Sequence, residues 1–161
     1  MNLNEWKIKA EDISLIVYDF DGVMTDNRVI LSEDGNESVI VNRSDGLAVN
    51  ILRNMEIRQL ILSKETNAVV SSRAQKLGLP VLQGIDDKKL ILEKYCQKEK
   101  IPIDKVVFVG NDINDVNLMR IVGYPLCPKD AYPEAKAVAR FIIPVNGGHG
   151  VVRDLVNHII K

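Results

Sequence analysis

Two aspartates one residue apart, Asp19 and Asp21, stand directly behind four apolar residues at 15–18 and open the run Asp19-Phe20-Asp21-Gly22-Val23-Met24-Thr25-Asp26. A carboxylate at the mouth of a buried strand either caps a turn or meets ligand as a nucleophile, a proton donor or acceptor, or a ligand for a hard cation. A second oxygen-rich run, Gly110-Asn111-Asp112-Ile113-Asn114-Asp115, follows another apolar stretch at 106–109. At neighbouring strand mouths the two runs would form an oxygen cage. Magnesium prefers such hard ligands, keeps several waters, and bridges carboxylates to a substrate phosphate. Asp19, Asp21, Asn111, Asp112 and Asp115 are the candidate ligands, with no His or Cys among them to favour zinc.

Two more segments belong to the same rim. Ser63-Lys64-Glu65-Thr66 follows the apolar run 58–62, and it sets a hydroxyl and the free N–H groups of a following helix where an anion would bind. Gln83-Gly84-Ile85-Asp86-Asp87-Lys88-Lys89 brings cations after 80–82. Taken singly, Ser63 is an ordinary cap and the lysine pair a solvated helix face. The order of the four pieces carries the meaning: DxD, hydroxyl, lysine, acidic cluster.

The elements that must hold these residues follow from periodicity. Short, partly β-branched apolar runs at 15–18, 58–62, 80–82, 106–109, 124–126 and 141–143 read as buried strands. Amphipathic patterns at 45–55, 67–77, 87–98, 114–122, 132–139 and 151–160 read as helices, with Thr66 capping the second, Gly78 ending it and Asp130 preceding the fifth. Strict alternation implies parallel strands joined by right-handed crossovers. The expected fold is a three-layer, Rossmann-like α/β domain over residues 1–161. One interval departs from the rhythm: β-like runs around Ser32-Glu33-Asp34-Gly35-Asn36 predict a β-hairpin insertion at 28–41, with no large cap domain. In open parallel sheets ligands bind beyond the carboxyl ends of the strands, where the four pieces lie.

Composition narrows the partners. Of 161 residues, 21 are Lys or Arg and 22 are Asp or Glu, so no global field recruits nucleic acid or an anionic membrane. The N-terminal run MNLNEWKIKAEDIS lacks an apolar leader stretch, and no run of about 18 apolar residues could span a bilayer. Cys96 and Cys127 have no metal-ligand spacing and read as idle thiols. A cytoplasmic, soluble protein is expected.

The four pieces resemble the haloacid dehalogenase (HAD) superfamily, whose first motif DxDGxxT is matched by Asp19, Asp21, Gly22 and, one position late, Thr25. The DGVxTD run, the RSDG at 43–46, the QGxxDK at 83–88, and the GGxG and VVRD within 147–154 are similar to its small sugar-acid phosphatase branch. That branch includes 3-deoxy-D-manno-octulosonate (KDO) 8-phosphate phosphatases, nonulosonate 9-phosphate phosphatases, and the C-terminal domain of some acylneuraminate cytidylyltransferases. The resemblance implies a magnesium-dependent phosphatase. Asp19 would be the nucleophile and Asp21 the general acid and base, with a pKa above that of Asp19. Ser63 and Lys88 would bind the phosphoryl group. Thr25, Glu65, Arg73, Lys76, Gly147 and Gly148 would serve the substrate. It also implies a homotetramer in which the hairpin and the glycine-rich segment 147–150 complete a neighbour's site.

Two departures from the family pattern bear on activity and substrate. The fourth motif usually begins Gly-Asp, where this chain has Gly110-Asn111; a neutral ligand weakens magnesium binding and leaves open a weakly active or inactive assembly module linked to a sialic-acid cytidylyltransferase. The second motif commonly ends in an arginine, where this chain has Glu65. An acceptor at that point, with Arg73 and Lys76 on one helix face, favours a nonulosonate 9-phosphate over KDO 8-phosphate.

Overall fold

The computed structural model describes residues 6–161. In chain order its elements are β1 (Ile8–Lys9), β2 (Leu15–Tyr18), β3 (Ile30–Leu31), β4 (Glu37–Ser38), α1 (Arg43–Asn54), β5 (Arg58–Leu62), α2 (Ala68–Leu77), β6 (Val81–Leu82) and α3 (Lys88–Glu99). There follow β7 (Val106–Val109), α4 (Val116–Met119), β8 (Tyr124–Pro128), α5 (Pro133–Val138), β9 (Phe141–Ile143), α6 (Val151–Val156) and β10 (Ile159–Ile160).

Six strands form one parallel sheet in the order β6-β5-β2-β7-β8-β9. Successive residues of a strand face opposite sides, so a strand covered on both faces is apolar throughout. In β2, Ile16 and Tyr18 enter one core with residues of α1, α2 and α6. Leu15 and Val17 enter the other with residues of α3, α4 and α5. These are the three expected layers. The chain leaves β2 toward β5 and β6, then returns on the other side of β2 to β7. That reversal opens a crevice at the carboxyl end of β2, between the ends of its neighbours β5 and β7.

The hairpin is present as the antiparallel pair β3 and β4, shorter than the runs that predicted it, with Ser32 and Asp34 closing its turn. A single bridge from Thr25 to Val41 ties its base. Gly78 ends α2 in the left-handed conformation, as expected, but Asn67 and not Thr66 caps it, accepting from the Val69 N–H at 3.1 Å. Asp130 does not cap α5; its carboxylate accepts from the Gly147 N–H at 2.8 Å. The pattern read as a helix over 114–122 yields only α4, because Asp112 and Asp115 form a capping box that winds Ile113–Asp115 into a 3-10 turn first.

The pattern read as a helix to residue 160 ends at Val156, and the apolar tail Ile159–Ile160 pairs in parallel with β1. Trp6 stacks on Phe141 with centroids 4.7 Å apart, and its carbonyl meets His158 Nδ1 at 3.0 Å, so the two ends of the described chain are sewn together. The leader-free reading of the first residues lies in part outside the described residues. Among those described, no helix is long and apolar enough to cross a membrane.

Candidate active site

Asp19 is the first residue beyond β2 and is 5% exposed. Its own N–H extends the ladder by donating to the Val109 carbonyl at 2.9 Å, which fixes the carboxylate at the strand mouth. Oδ1 accepts from the Phe20 N–H at 2.7 Å and lies 2.8 Å from Lys88 Nζ. Lys88 opens α3, is 2% exposed, and also reaches Asp115 Oδ1 at 2.7 Å. A buried ammonium thus bridges two buried carboxylates.

The charges respond accordingly. Burial alone would lower the Lys88 pKa, but Asp19 and Asp115 outweigh it and hold the ammonium above its usual value. Burial, and next the Asp115 charge, push Asp19 up to about 8 against the pull of Lys88. Asp21 is raised by burial and then by Glu65, again with Lys88 opposing. Protein groups alone therefore raise both aspartates above the ordinary carboxylate value. A divalent cation against Asp19 is what would lower it.

Past Asp19 the chain turns sharply, the Phe20 carbonyl accepting from the N–H groups of Val23, Met24 and Thr25. Gly22 has φ +81°, and a Cβ there would overlap the Asn111 side chain, so the residue must be glycine on both counts. Thr25 is fully buried. Its Oγ1 accepts from the N–H groups of Gly22 and Asn27 and so closes the turn without lining the cavity. Gly147 and Gly148 pack behind the same turn, against the backbone of Gly22, Thr25 and Asp26. In this chain all three shape the loop that carries the aspartates.

Asn111 comes from the turn after β7, beside Asp19. Its amide end lies 3.1 Å from Asp19 Oδ2 and 3.0 Å from the Asp21 carbonyl, both acceptors. With the amide nitrogen inward it donates to both; with the oxygen inward, three oxygens converge. That second arrangement is a donor set suited to magnesium. Among the described residues no three His, Cys, Asp or Glu side chains gather as a metal-holding group, because the set is one carboxylate, one amide and one backbone carbonyl. Both Asp115 oxygens are engaged, by Lys88 and by the N–H groups of Asn111 and Asp112, so Asp115 positions the lysine and the loop. Asp112 lines the cavity, while its Oδ1 accepts from the Ile113 N–H.

Asp19, Asp21, Ser63, Glu65, Asn111 and Asp112 share a cavity of about 200 Å³. Ser63 is 1% exposed, and its Oγ accepts from the Glu65 N–H at 3.1 Å, which leaves the hydroxyl proton available to an anion. Asp21, Asn27 and Glu65 also line an adjoining cavity of about 250 Å³ with Glu37, Asn67 and valines of the hairpin and α2. Asp21 therefore stands on the wall shared by the two cavities. Arg73 and Lys76 are not there: with Arg43 they line a separate cavity between α1 and α2, and Arg73 Nη2 donates to the Asn42 carbonyl. The sequence reading missed Asn27, Glu37 and Asn67. None of the three left a local signal; in the structure Asn27 sits at φ +69°, a conformation that asparagine tolerates better than most residues.

Comparison with known proteins accords with this geometry. A family model described as haloacid dehalogenase-like hydrolase matches residues 49–155, a span that begins after Asp19. The chain is 29% identical over 153 residues to 3-deoxy-D-manno-octulosonate 8-phosphate phosphatase KdsC of Escherichia coli (strain K12), covering 94% of this chain and 81% of that one. It is 28% identical over 158 residues to N-acylneuraminate cytidylyltransferase A of Danio rerio, covering 96% of this chain but only 36% of that longer relative. Among solved structures, one from Streptomyces avermitilis described as a HAD family hydrolase superposes with a TM-score of 0.92 at 43% identity, covering 95% of this chain and 88% of that one. The 3-deoxy-D-manno-octulosonate 8-phosphate phosphatase from Moraxella catarrhalis, in complex with magnesium ion, phosphate ion and a KDO molecule, gives 0.87 at 29%, covering 91% and 85%. With the family model spanning about two thirds of the sequence and the Streptomyces avermitilis structure 43% identical over 95% of this chain, the chain belongs to the haloacid dehalogenase-like hydrolases.

Proposed function

We propose that the chain is a magnesium-dependent phosphatase that removes the terminal phosphate of a 2-keto-3-deoxy sugar acid through an aspartyl phosphate on Asp19. That it is a phosphoric monoester hydrolase follows from its family and its octulosonate phosphatase relatives. The observation that carries the finer reading is the clasp of Lys88 on Asp19, with Asp21 between two cavities.

Asp19 Oδ2, the Asp21 carbonyl and the Asn111 amide oxygen would hold the cation, which when bound supplies positive charge against an incoming phosphate dianion. Lys88 and the Ser63 hydroxyl add donors to the phosphoryl oxygens. The Asp19 carboxylate attacks phosphorus, and the bond to the sugar oxygen breaks. Protonated Asp21 gives its proton to that leaving oxygen. Asp21 then takes a proton from water as the water attacks the aspartyl phosphate, returning Asp19 and releasing phosphate.

For the substrate, Glu65 on the wall of both cavities favours a hydroxyl- and amide-rich nonulosonate 9-phosphate. The octulosonate 8-phosphate reading draws equal support from the Escherichia coli and Moraxella catarrhalis relatives. Arg73 and Lys76 would serve a neighbouring subunit's site in a homotetramer. The hairpin supports such an assembly, since Val29, Ile30, Leu31 and Ile40 are 48%, 63%, 67% and 65% exposed. An assembly module without activity is the reading that the neutral Asn111 favours.

Phosphate release by the purified protein from the two sugar-acid phosphates and from p-nitrophenyl phosphate, with magnesium and with EDTA, tests these readings together. Magnesium-dependent turnover abolished by Asp19→Asn is expected. No turnover on any of the three would leave the assembly module standing. Sedimentation equilibrium that finds an active monomer would overturn the tetramer.

A further inference from the structure

Asn111 has little freedom except at its amide. Its N–H donates to Asp115 Oδ2 at 2.8 Å and its carbonyl accepts from the Tyr132 N–H at 2.9 Å, so the backbone is pinned on both sides. The residue is 5% exposed, and its side chain fills the space left by the missing Cβ of Gly22. What remains is rotation about the last side-chain bond, a soft torsion with two roughly equivalent settings half a turn apart. The two settings offer opposite chemistry to the same neighbours. An asparagine amide presents two N–H donors on one end and an acceptor on the other, whereas an aspartate presents acceptors only.

From this geometry we infer that Asn111 is a two-position latch on the nucleophile. In one position its NH₂ donates to Asp19 Oδ2 and to the Asp21 carbonyl, at 3.1 and 3.0 Å, and ties down the two oxygens that a cation would use. In the other position the amide oxygen joins those two, and the three oxygens are held together by a divalent cation. In the first position the amide nitrogen meets both inward acceptors with the protein's own groups. One donor reaches a carboxylate, which makes that hydrogen bond a charge-assisted one. An aspartate at 111 has no such resting position, because three acceptors would face one another. The inference rests on the metal reading of the site given above and adds a specific consequence: magnesium competes with an internal donor as well as with water, and it binds only as the amide turns over.

The test is the side-chain amide of Asn111 in the full-length protein labelled with ¹⁵N, its resonance pair assigned by its loss in Asn111→Asp. Without magnesium the pair should be shifted from ordinary asparagine positions, with proton exchange slowed at least about tenfold, as expected for a buried, hydrogen-bonded donor. Saturation with magnesium should move the pair and remove the protection as the NH₂ turns away from Asp19. A pair that exchanges freely without magnesium overturns the latch. So does a pair that stays protected and unmoved while calorimetry records magnesium binding. Calorimetry on Asn111→Asp is the second arm: it should bind magnesium at least about tenfold more tightly and, in EDTA, melt below the wild type. Equal affinity together with equal melting temperature would also overturn the inference. Failure of the phosphatase reading looks different, because activity that survives EDTA refutes the metal requirement wherever the amide points.

Discussion

Replacing Lys88 by methionine is the sharpest single perturbation of this site. The ammonium is 2.8 Å from Asp19 and 2.7 Å from Asp115, and the three side chains are 1%, 8% and 0% exposed, so solvent screens almost nothing. Methionine keeps most of the apolar stem, so the loss is one of charge and not of packing. Breaking a buried ion pair by removing one partner costs about 3–5 kcal/mol, and here two carboxylates lose the same partner. For a chain of this size each kcal/mol shifts Tm by roughly 2–4 °C, so Lys88→Met should fall by roughly 6–20 °C, read by circular dichroism. The deficit should shrink as pH falls, because losing the ammonium removes the group that pulls Asp19 down, and a carboxyl that has taken up a proton needs no counterion. Adding Asp115→Asn should recover part of the Tm but no activity. A loss under about 3 °C, or a deficit that widens toward acid, would refute the view that Lys88 neutralises this pair.

Asp45 gives a pH test remote from the chemistry. Burial pushes it up to about 6 from 3.8, with the Arg153 and Val152 N–H groups pulling the other way. Its protonation therefore supports the fold fully below about pH 4, and that support, at most ~3 kcal/mol, is lost as pH rises through about 6. Asp45→Asn should flatten the fall in Tm across that window, and an unchanged pH profile would contradict the assignment. Gly22→Ala should both weaken magnesium binding and lower Tm, since alanine is strained at φ +81° and its Cβ strikes the Asn111 amide; a calorimetric titration and a Tm that both match wild type would count against it. Glu65→Arg should cut the kcat/KM ratio of nonulosonate to octulosonate phosphate by about tenfold, and an unmoved ratio would remove Glu65 from specificity.

The sheet was legible because β2 and β7 are buried on both faces and so write unbroken apolar runs, with β5 adding Leu60, Ile61 and Leu62 after Arg58 and Gln59, and the hairpin because its turn residues announce it. The site aspartates and Lys88 were legible as motifs. What was not legible depends on tertiary placement. The same acidic spacing would occur whether Asp115 faced a cation or, as here, a lysine. Arg73 and Lys76 do share a helix face, yet only packing decides that this face looks onto α1 and Arg43 in the protomer. The choice of Asn67 over Thr66 as cap turns on where the backbone bends, which neither residue type reveals. The pairing of β1 with β10 joins two-residue segments 151 positions apart, too short for periodicity and too distant for any local signal.

That last pairing has a consequence for topology. Ile8 N–H donates to the His158 carbonyl at 2.9 Å and Lys7 Nζ to the Asn157 carbonyl, so the chain enters and leaves the fold at one seam. A fold whose ends meet is close to a closed loop, and its cut point is a free choice. A short linker across the seam, with new ends opened at exposed Lys100 between α3 and β7, would keep every strand neighbour and every site turn while reversing the order in which Lys88 and Asn111 are synthesised. The site would then be closed by bringing the first, middle and last thirds of the new chain together, which makes the permuted protein a means of asking whether the order of synthesis matters to assembling the Asp19, Lys88 and Asn111 cluster.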